Sequence, residues 1–569
     1  TPVTDEELTI TTTFFNSEAT PAAIKSITYA IGSETIGTDT TGYTLAASST
    51  QDVEFKYTPT KARIMTVKIT AVIEQDGKEY TFTKDVTLDV LDASKLVYIG
   101  IDASHYNEYV AGNYKDSMGN FGELAAAYSV RTVTLKTSEE LIAACGNSKY
   151  KAIILTAPSR RLEAAQKDPK TYSEDELNAL KTFNDNGGMV ILAGWSDNYE
   201  NYPIIQNNPD IKHMAATQNE VLAKLGSSLR ISDDATYDDE RSAADGVDKW
   251  RLYFSSYNME NPLLKGVEFD AEHPYDKLYT ERFSHYGGAS IYAVDASGNA
   301  TSTLPATVSP AVYGHATTYS VDVDKDGLGG AGIPKYTFAK NDDRLMVMAS
   351  EQIEGKGLII VSGAAFMSNF EVQYQVSDSG AEKNYSNYKI CQNLVSMLNQ
   401  TEITKIADVQ AEPEEGVKFT VEGIVTSNAS GHDKDTAFFD CIYVQDNTAG
   451  INAFPVAGNF KIGDKVRVTG TTSSYQGERQ LAVTTKIEKI ADAAAPAPKE
   501  VTAAQINDGS VLGSLVKIKG TITRVEEAEG KIQTIMVRDA AGKEARVFID
   551  GYITKDKEVQ NAIVGNQVE

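Results

Sequence analysis

The sequence predicts a multidomain chain of mixed class, α/β plus all-β. Three observations predict it. Residues 1–93 are alternating or β-branched runs separated by polar turn clusters, the pattern of one-sided strands in an antiparallel sandwich. Residues 95–400 alternate continuous apolar runs with helical stretches, which implies a parallel sheet with crossover helices. Residues 401–490 and 500–569 repeat one pattern of short strands with glycine-marked bends, as small β-barrels require.

With 569 residues, the chain has room for about four domains at roughly 150 residues each. Its formal net charge of −26 repels nucleic acid and anionic membrane unless a basic patch intervenes. Tyrosine is plentiful, 29 against 18 phenylalanines, which suggests wide, wet, half-buried surfaces. Cys145, Cys391 and Cys441 are few, odd in number and far apart, against a disulfide framework or a zinc site. No apolar run is long enough to span a bilayer. The start at Thr1-Pro2-Val3 reads as that of an excised or processed segment.

In the first domain, residues 1–93, the runs ELTITTTFF, AIKSITYAI, DVEFKYTP, IMTVKITAVI and YTFTKDVTLDV are the expected strands. The expected architecture is an immunoglobulin-like sandwich, although no Cys-Trp-Cys signature is present. It serves as a spacer or as a recognition module.

The second domain, residues 94–400, is organised around KLVYIGIDASHYN from Lys95 to Asn107. A buried strand here opens onto a polar loop, and ligands in open α/β sheets sit beyond strand carboxyl ends. FGELAAAYSV is the next helix, VRTVTLK a second strand, SEELIAAC a helix with a serine cap and YKAIILTAP a third strand. In SEDELNALKTFNDNGG, Ser173 and Glu176 have capping-box spacing. GMVILAGWS, RLMVMASEQ and GKGLIIVSGAAF are further strands, and KNYSNYKICQNLVSMLNQ is a closing amphipathic helix. Residues of about 200–340 read as an irregular insertion.

The element order, with LNALKTFNDNGGMVILAG and GKGLIIVSGAAFMSN, resembles the class I glutamine amidotransferase-like fold. It is most similar to the non-catalytic versions in large secreted bacterial proteins. Active members place a nucleophilic cysteine in a tight strand-to-helix turn. Here the third strand ends Leu155-Thr156-Ala157-Pro158-Ser159, so the resemblance does not carry the thiol chemistry over.

In the last part, Val421-Glu422-Gly423-Ile424-Val425 matches Ile518-Lys519-Gly520-Thr521-Ile522, and Tyr443-Val444-Gln445-Asp446 matches Met536-Val537-Arg538-Asp539. A linker, residues 491–499, separates the units. The first, 401–490, resembles the OB-fold units attached to secreted bacterial nucleases and phosphoesterases. The second, 500–569, is expected to be OB-like and cut short.

Three constellations carry possible chemistry. Asp322, Asp324 and Asp326 with Gly327 spell D-x-D-x-D-G, which wraps a hard cation such as calcium or forms a solvated acidic turn. Its twelfth position is Ile333 rather than an EF-hand glutamate. His105, with Asp102 and Ser104, reads as a loop histidine that hydrogen-bonds its neighbours, or these residues and Asn107 share a polar pocket with Ser362, Ser368 and Asn369 at the same sheet edge. Trp195, with Tyr199 and Tyr202 near it, is a sugar-stacking or packing cluster. Asp233-Asp234 and Asp238-Asp239-Glu240 read as a solvated charge run. On the first OB unit, Phe438, Phe439, Tyr443, Phe454 and Tyr475 form a candidate stacking platform, but Lys461, Lys465, Arg467 and Arg479 make a thin basic groove.

These readings lead to a non-catalytic binding or presentation region of a secreted or cell-surface bacterial protein, with calcium as cofactor. The alternatives are an accessory part of an extracellular nuclease or phosphoesterase, and an adhesin for host glycan or a host glycoprotein such as immunoglobulin. Polysaccharide or protein is thus the expected partner ahead of nucleic acid, with no membrane insertion.

Overall fold

The computed structural model describes residues 2–242, 248–327, 345–373, 384–399, 402–427, 441–456, 460–483, 487–528, 530–548 and 562–569. The chain forms two compact units, Ser94–Gln400 and the combination of Thr1–Ala93 with Thr401–Glu569. Ile333, Phe438 and Phe439 lie outside the described residues.

In the second of these units the N-terminal strands are β1 (Leu8–Phe15), β2 (Ala22–Ile31), β3 (Glu34–Asp39), β4 (Tyr43–Leu45), β5 (Thr50–Tyr57), β6 (Ile64–Gln75) and β7 (Lys78–Asp89). β1 pairs with β5, and β3-β2-β6-β7 form the larger sheet, with β4 also on β2. Alternation is the cause. In β6, Met65, Val67, Ile69 and Ala71 are buried while Thr66 and Lys68 point outward. Val67, Ile69 and Ala71 meet Ile10, Ile24, Ile27 and Val53 in one core.

The Ser94–Gln400 unit is built on β8 (Val97–Asp102), α1 (Gly119–Ala126), β9 (Val130–Leu135), α2 (Ser138–Gly146), β10 (Tyr150–Thr156), α3 (Glu174–Asp185) and β11 (Met189–Ala193). There follow α4 (Met214–Leu225), β12 (Leu229–Ile231), β13 (Ala235–Tyr237), β14 (Ile291–Val294), β15 (Val308–Tyr313), β16 (Tyr319–Val321), β17 (Met346–Glu351), β18 (Ile359–Ser362) and α5 (Ser386–Leu398). β9-β8-β10-β11-β18 are parallel neighbours. The buried runs of β10, β11 and β18 are nearly continuous because both faces are covered. Ile154 and Ile191 face Phe121 of α1 and Ile390 and Leu394 of α5. Ile153, Leu155, Val190 and Leu192 face Leu141 of α2, Leu180 of α3 and Val221 of α4. Each such side chain stabilises the fold by about 1.5–3 kcal/mol.

Three local expectations are corrected. The Ser138 cap is not the cap: Thr137 accepts from the Glu140 N–H at 3.2 Å, and Ser138 begins α2. β17 is antiparallel to β18, because the short link between them permits a hairpin and no crossover. The 200–340 stretch is also not a mere irregular insertion. From it, β15 pairs with β17, β14 touches β17 at Ile291, and β12 pairs with β14, so it extends the central sheet. Runs as short as Leu229–Ile231 carry too little periodicity to be recognised.

After α6 (Ile406–Ala411) come β19 (Lys418–Val425), β20 (Ile442–Gln445), β21 (Gly450–Phe454), β22 (Asp464–Tyr475), β23 (Glu478–Val483) and β24 (Glu488–Asp492). β19-β20-β21-β23-β22 close into a ring through the β19–β22 pairing, with β21 parallel to β23. α7 (Ala503–Asn507) precedes β25 (Gly520–Ala528), β26 (Lys531–Arg538), β27 (Glu544–Phe548) and β28 (Gln567–Val568). Their order, β27-β26-β25-β28, reproduces the corresponding part of the ring. Gly520 permits one of these close pairings: a Cβ there would lie 2.1 Å from the Arg538 carbonyl oxygen.

Candidate metal centre

The loop after β8 is packed into the protein. His105 Nδ1 lies 2.8 Å from Asp102 Oδ2, and its Nε2 lies 3.5 Å from Glu176 Oε1. Ser104 Oγ donates to Asp102 Oδ1 at 2.7 Å, and Tyr172 OH donates to Asp102 Oδ2 at 3.2 Å. Asn107 Oδ1 accepts from the His105 N–H, and Asn107 Nδ2 donates to the Thr156 carbonyl at 3.0 Å. Glu176 also completes the capping box of α3 with Ser173. Burial pushes the His105 pKa down, but Asp102 and Glu176 together raise it to about 9. Burial raises Glu176, while His105 and Ser173 bring it down to about 2. This is a closed ion network that ties the end of β8 to the start of α3.

The other expected pocket residues are also engaged. Ser362 is fully buried and accepts from the Ala364 N–H at 3.3 Å. Ser368 donates to the Glu371 carboxylate, and Asn369 Oδ1 accepts from the Asn120 N–H at 2.8 Å. Trp195 is 2% exposed and stacks on Tyr199 with centroids 3.5 Å apart. Its ring is therefore a packing element and offers no sugar platform. The geometry around His105 is that of a loop histidine bonded to its neighbours, as polar groups in a mostly buried loop require.

The D-x-D-x-D-G loop behaves differently. Asp322 accepts from the Lys325 and Gly327 N–H groups at 2.7 and 3.1 Å, which curls the loop. Lys325 and Gly327 sit at positive φ. The loop meets the turn that follows β11: Asp197 Oδ2 accepts from the Val323 N–H at 2.7 Å. Asp197, Asp322 and Asp324 can then bring ligand oxygens within 4.8 Å of one another. Glu200, on the same turn, and His213, at the N-cap of α4, lie alongside with Asp233 from the segment after β12. The cluster thus forms at the carboxyl end of β11, the edge where such sheets bind ligands.

Two of these carboxylates lack what buried carboxylates need. Asp197 is 1% and Asp324 4% exposed, yet Asp197 Oδ1 and Asp324 Oδ2 make no hydrogen bond. Burial, opposed by the Val323 N–H and reinforced by the neighbouring aspartates, pushes Asp197 up to about 8. Burial, Asp326 and Asp233 push Asp324 up to about 6. Burial and Asp233, against His213, push Glu200 up to about 8. Among the described residues this cluster can hold a metal ion.

Sequence reading found Asp322, Asp324 and Asp326 and missed Asp197, Glu200, His213 and Asp233. The one available signal was the position of Asp197 and Glu200 just past an apolar strand. The acidic-run reading is corrected for two of its residues, while Asp239 and Glu240 are exposed as expected. Asp234 and Asp238 are fully buried: Asp234 accepts from the Ser290 N–H and hydroxyl, and Asp238 from Thr317 and Thr318 at 2.8 and 2.9 Å. On the closed ring, Phe454 and Tyr475 are exposed. Arg467 pairs with Glu422 at 2.6 Å, and Arg479 donates to the Glu412 carbonyl.

No family model and no curated protein matches the sequence. The chain is similar to the solved mmIFT52 N-terminal domain at 12% identity and a TM-score of 0.31, over 54% of this chain and 99% of that one. It is also similar to a Paenibacillus sp. cycloisomaltooligosaccharide glucanotransferase complexed with cycloisomaltoheptaose, at 14% identity and a TM-score of 0.15, over 34% of this chain and 26% of that one. A glycosyl hydrolase family 2 member from Bacteroides cellulosilyticus DSM 14838 is similar at 11% identity and a TM-score of 0.14, over 38% of this chain and 35% of that one. This chain thus spans about a third or less of the last two. Among the described residues no helix is long and apolar enough to cross a membrane.

Proposed function

We propose that the Ser94–Gln400 unit holds a structural calcium ion between Asp197, Asp322 and Asp324. The chain as a whole is then a non-catalytic binding or presentation region of a secreted or cell-surface bacterial protein. One observation carries the calcium reading: Asp197 and Asp324 each keep a buried oxygen without a hydrogen bond, and one carboxylate oxygen from each of Asp197, Asp322 and Asp324 lies within 4.8 Å of the other two. Isolated buried carboxylates are costly, and a divalent cation removes that cost. Oxygen-only ligands suit calcium.

The thiols support the non-catalytic reading. Burial pushes the Cys145 thiol up to about 12 and raises Cys391 well above the ordinary range. A nucleophilic thiol needs the opposite shift. The paired basic side chains of the ring favour protein or polysaccharide over nucleic acid as partner. The immunoglobulin-like sandwich, the amidotransferase-like sheet and the two OB-type units belong to the same proposal. The ring order β19-β20-β21-β23-β22 and the parallel β21–β23 pair support its OB part.

Calorimetric titration of calcium into the chelator-stripped chain tests the central point. One binding event is expected in wild type, and none in Asp324→Asn or Asp197→Asn. Flat traces for all three would end the calcium reading.

A further inference from the structure

His213 stands in an unusual place. Its Nδ1 lies 3.0 Å from Asp233 Oδ2, 3.6 Å from Asp326 Oδ2, 3.7 Å from Asp324 Oδ2 and 3.9 Å from Glu200 Oε2. The ring is 15% exposed and sits at the N-terminus of α4. One Nδ1–H donates to one acceptor, and Asp233 at 3.0 Å is that acceptor. The imidazole therefore cannot satisfy the set by hydrogen bonding. Asp324 Oδ2, 4% exposed, makes no hydrogen bond and faces this nitrogen. Asp233 Oδ1 is a second buried oxygen without one. Glu200 is held in position by the Met214 N–H, which it accepts through Oε1 at 2.8 Å, leaving Oε2 toward the histidine.

These separations have the size of ligand-to-ligand edges. Two ligands of one ion, each about 2.1 Å from it at a right angle, stand about 3 Å apart. The set also differs in kind from its neighbour. Asp197, Asp322 and Asp324 offer only oxygen, whereas the groups Glu200–His213–Asp233 and His213–Asp324–Asp326 each include a nitrogen. Imidazole nitrogen favours borderline first-row metals, and oxygen-only sets favour calcium.

We infer that the cluster is a two-cation site, with a manganese- or zinc-type divalent ion held by His213, Glu200, Asp233 and Asp326, and with Asp324 shared with the calcium position. The inference deepens the calcium reading, but its nitrogen-bearing half stands or falls independently. The second ion would join α4 and the segment after β12 to the same loop that calcium joins to β11.

The test uses the full chain, stripped with chelator, and the loss of the free Mn²⁺ spin-resonance signal as readout. Wild type is expected to bind Mn²⁺ in the presence of saturating calcium. His213→Gln and Asp233→Asn should weaken that binding at least about tenfold while keeping calcium binding, which also shows that they fold. Asp322→Asn should lose calcium and keep Mn²⁺. Stoichiometric displacement of Mn²⁺ by calcium in wild type overturns the inference, as does wild-type Mn²⁺ affinity in both His213→Gln and Asp233→Asn. Calcium failing to bind while Mn²⁺ still depends on His213 overturns the calcium reading and leaves this one standing.

Discussion

His105 shows how a single side chain reads differently alone and in place. From sequence it was a polar residue at a strand end. In the fold both ring nitrogens face carboxylates, and its ring lies 4.1 Å from that of Tyr172. Its folded pKa of about 9 exceeds the ordinary 6.5, so the charged form is the one that stabilises. That contribution is complete below about pH 6.5 and is lost as pH rises through about 9, an effect of about 3 kcal/mol. Glu176 reports the same ion pair from the other side: its share is present above its ordinary 4.5 and lost as pH falls through about 2. Thermal melts of the Ser94–Gln400 transition between pH 6 and 10 should fall for wild type. They should be flatter over that range for His105→Gln, which itself costs about 3–5 kcal/mol at neutral pH through the unpaired Asp102. Equal slopes would contradict the assignment. Thiol titration of the native chain is a second check. Cys391 is fully buried and Cys145 nearly so, while Cys441 is half-buried, so Cys441 should react first. Fast modification of Cys391 in the folded chain would count against the structure of α5.

At the scale of elements, much of the order was legible because the signals were local. The apolar runs that became β8, β10 and β11 are continuous and long, and Ser173 with Glu176 marked the start of α3. The acidic loop was legible as a motif because its three carboxylates are neighbours in sequence. Asp197, Glu200, His213 and Asp233 were not, because the fold alone brings them to residues 322–326. The direction of β17 and the short strands β12, β14 and β15 escaped for related reasons: each depends on pairing, and none has a period long enough to read. The loop's attachment to β11 gives a prediction at this scale. Calcium at a hundred times its dissociation constant should stabilise the Ser94–Gln400 unit by about 2.7 kcal/mol, raising its melting midpoint. Asp322→Asn should abolish the rise. A rise of wild-type size in that variant would place calcium elsewhere.

Across the whole molecule, the repeat in the sequence corresponds to two sheets with matching strand order but different closure. β19 has partners on both sides, β20 and β22, and the ring encloses Val421, Val444, Val466 and Leu481. Among the described residues, β27 and β28 each have a partner on one side only, and the buried set around Ile522, Ile535 and Val537 is smaller. Amide exchange should therefore be faster across β25–β27 than across β19–β22, and equal protection would contradict this. The acidic composition was visible at once, but its concentration into a buried cluster was not, because net charge carries no position. That cluster is the central claim, and one measurement reaches it directly. Crystals of the wild-type chain grown in calcium, with diffraction data collected at long wavelength, should show an anomalous difference peak between the carboxylates of Asp197, Asp322 and Asp324. Ordered side chains at those three positions, in saturating calcium and without a peak between them, would contradict the account.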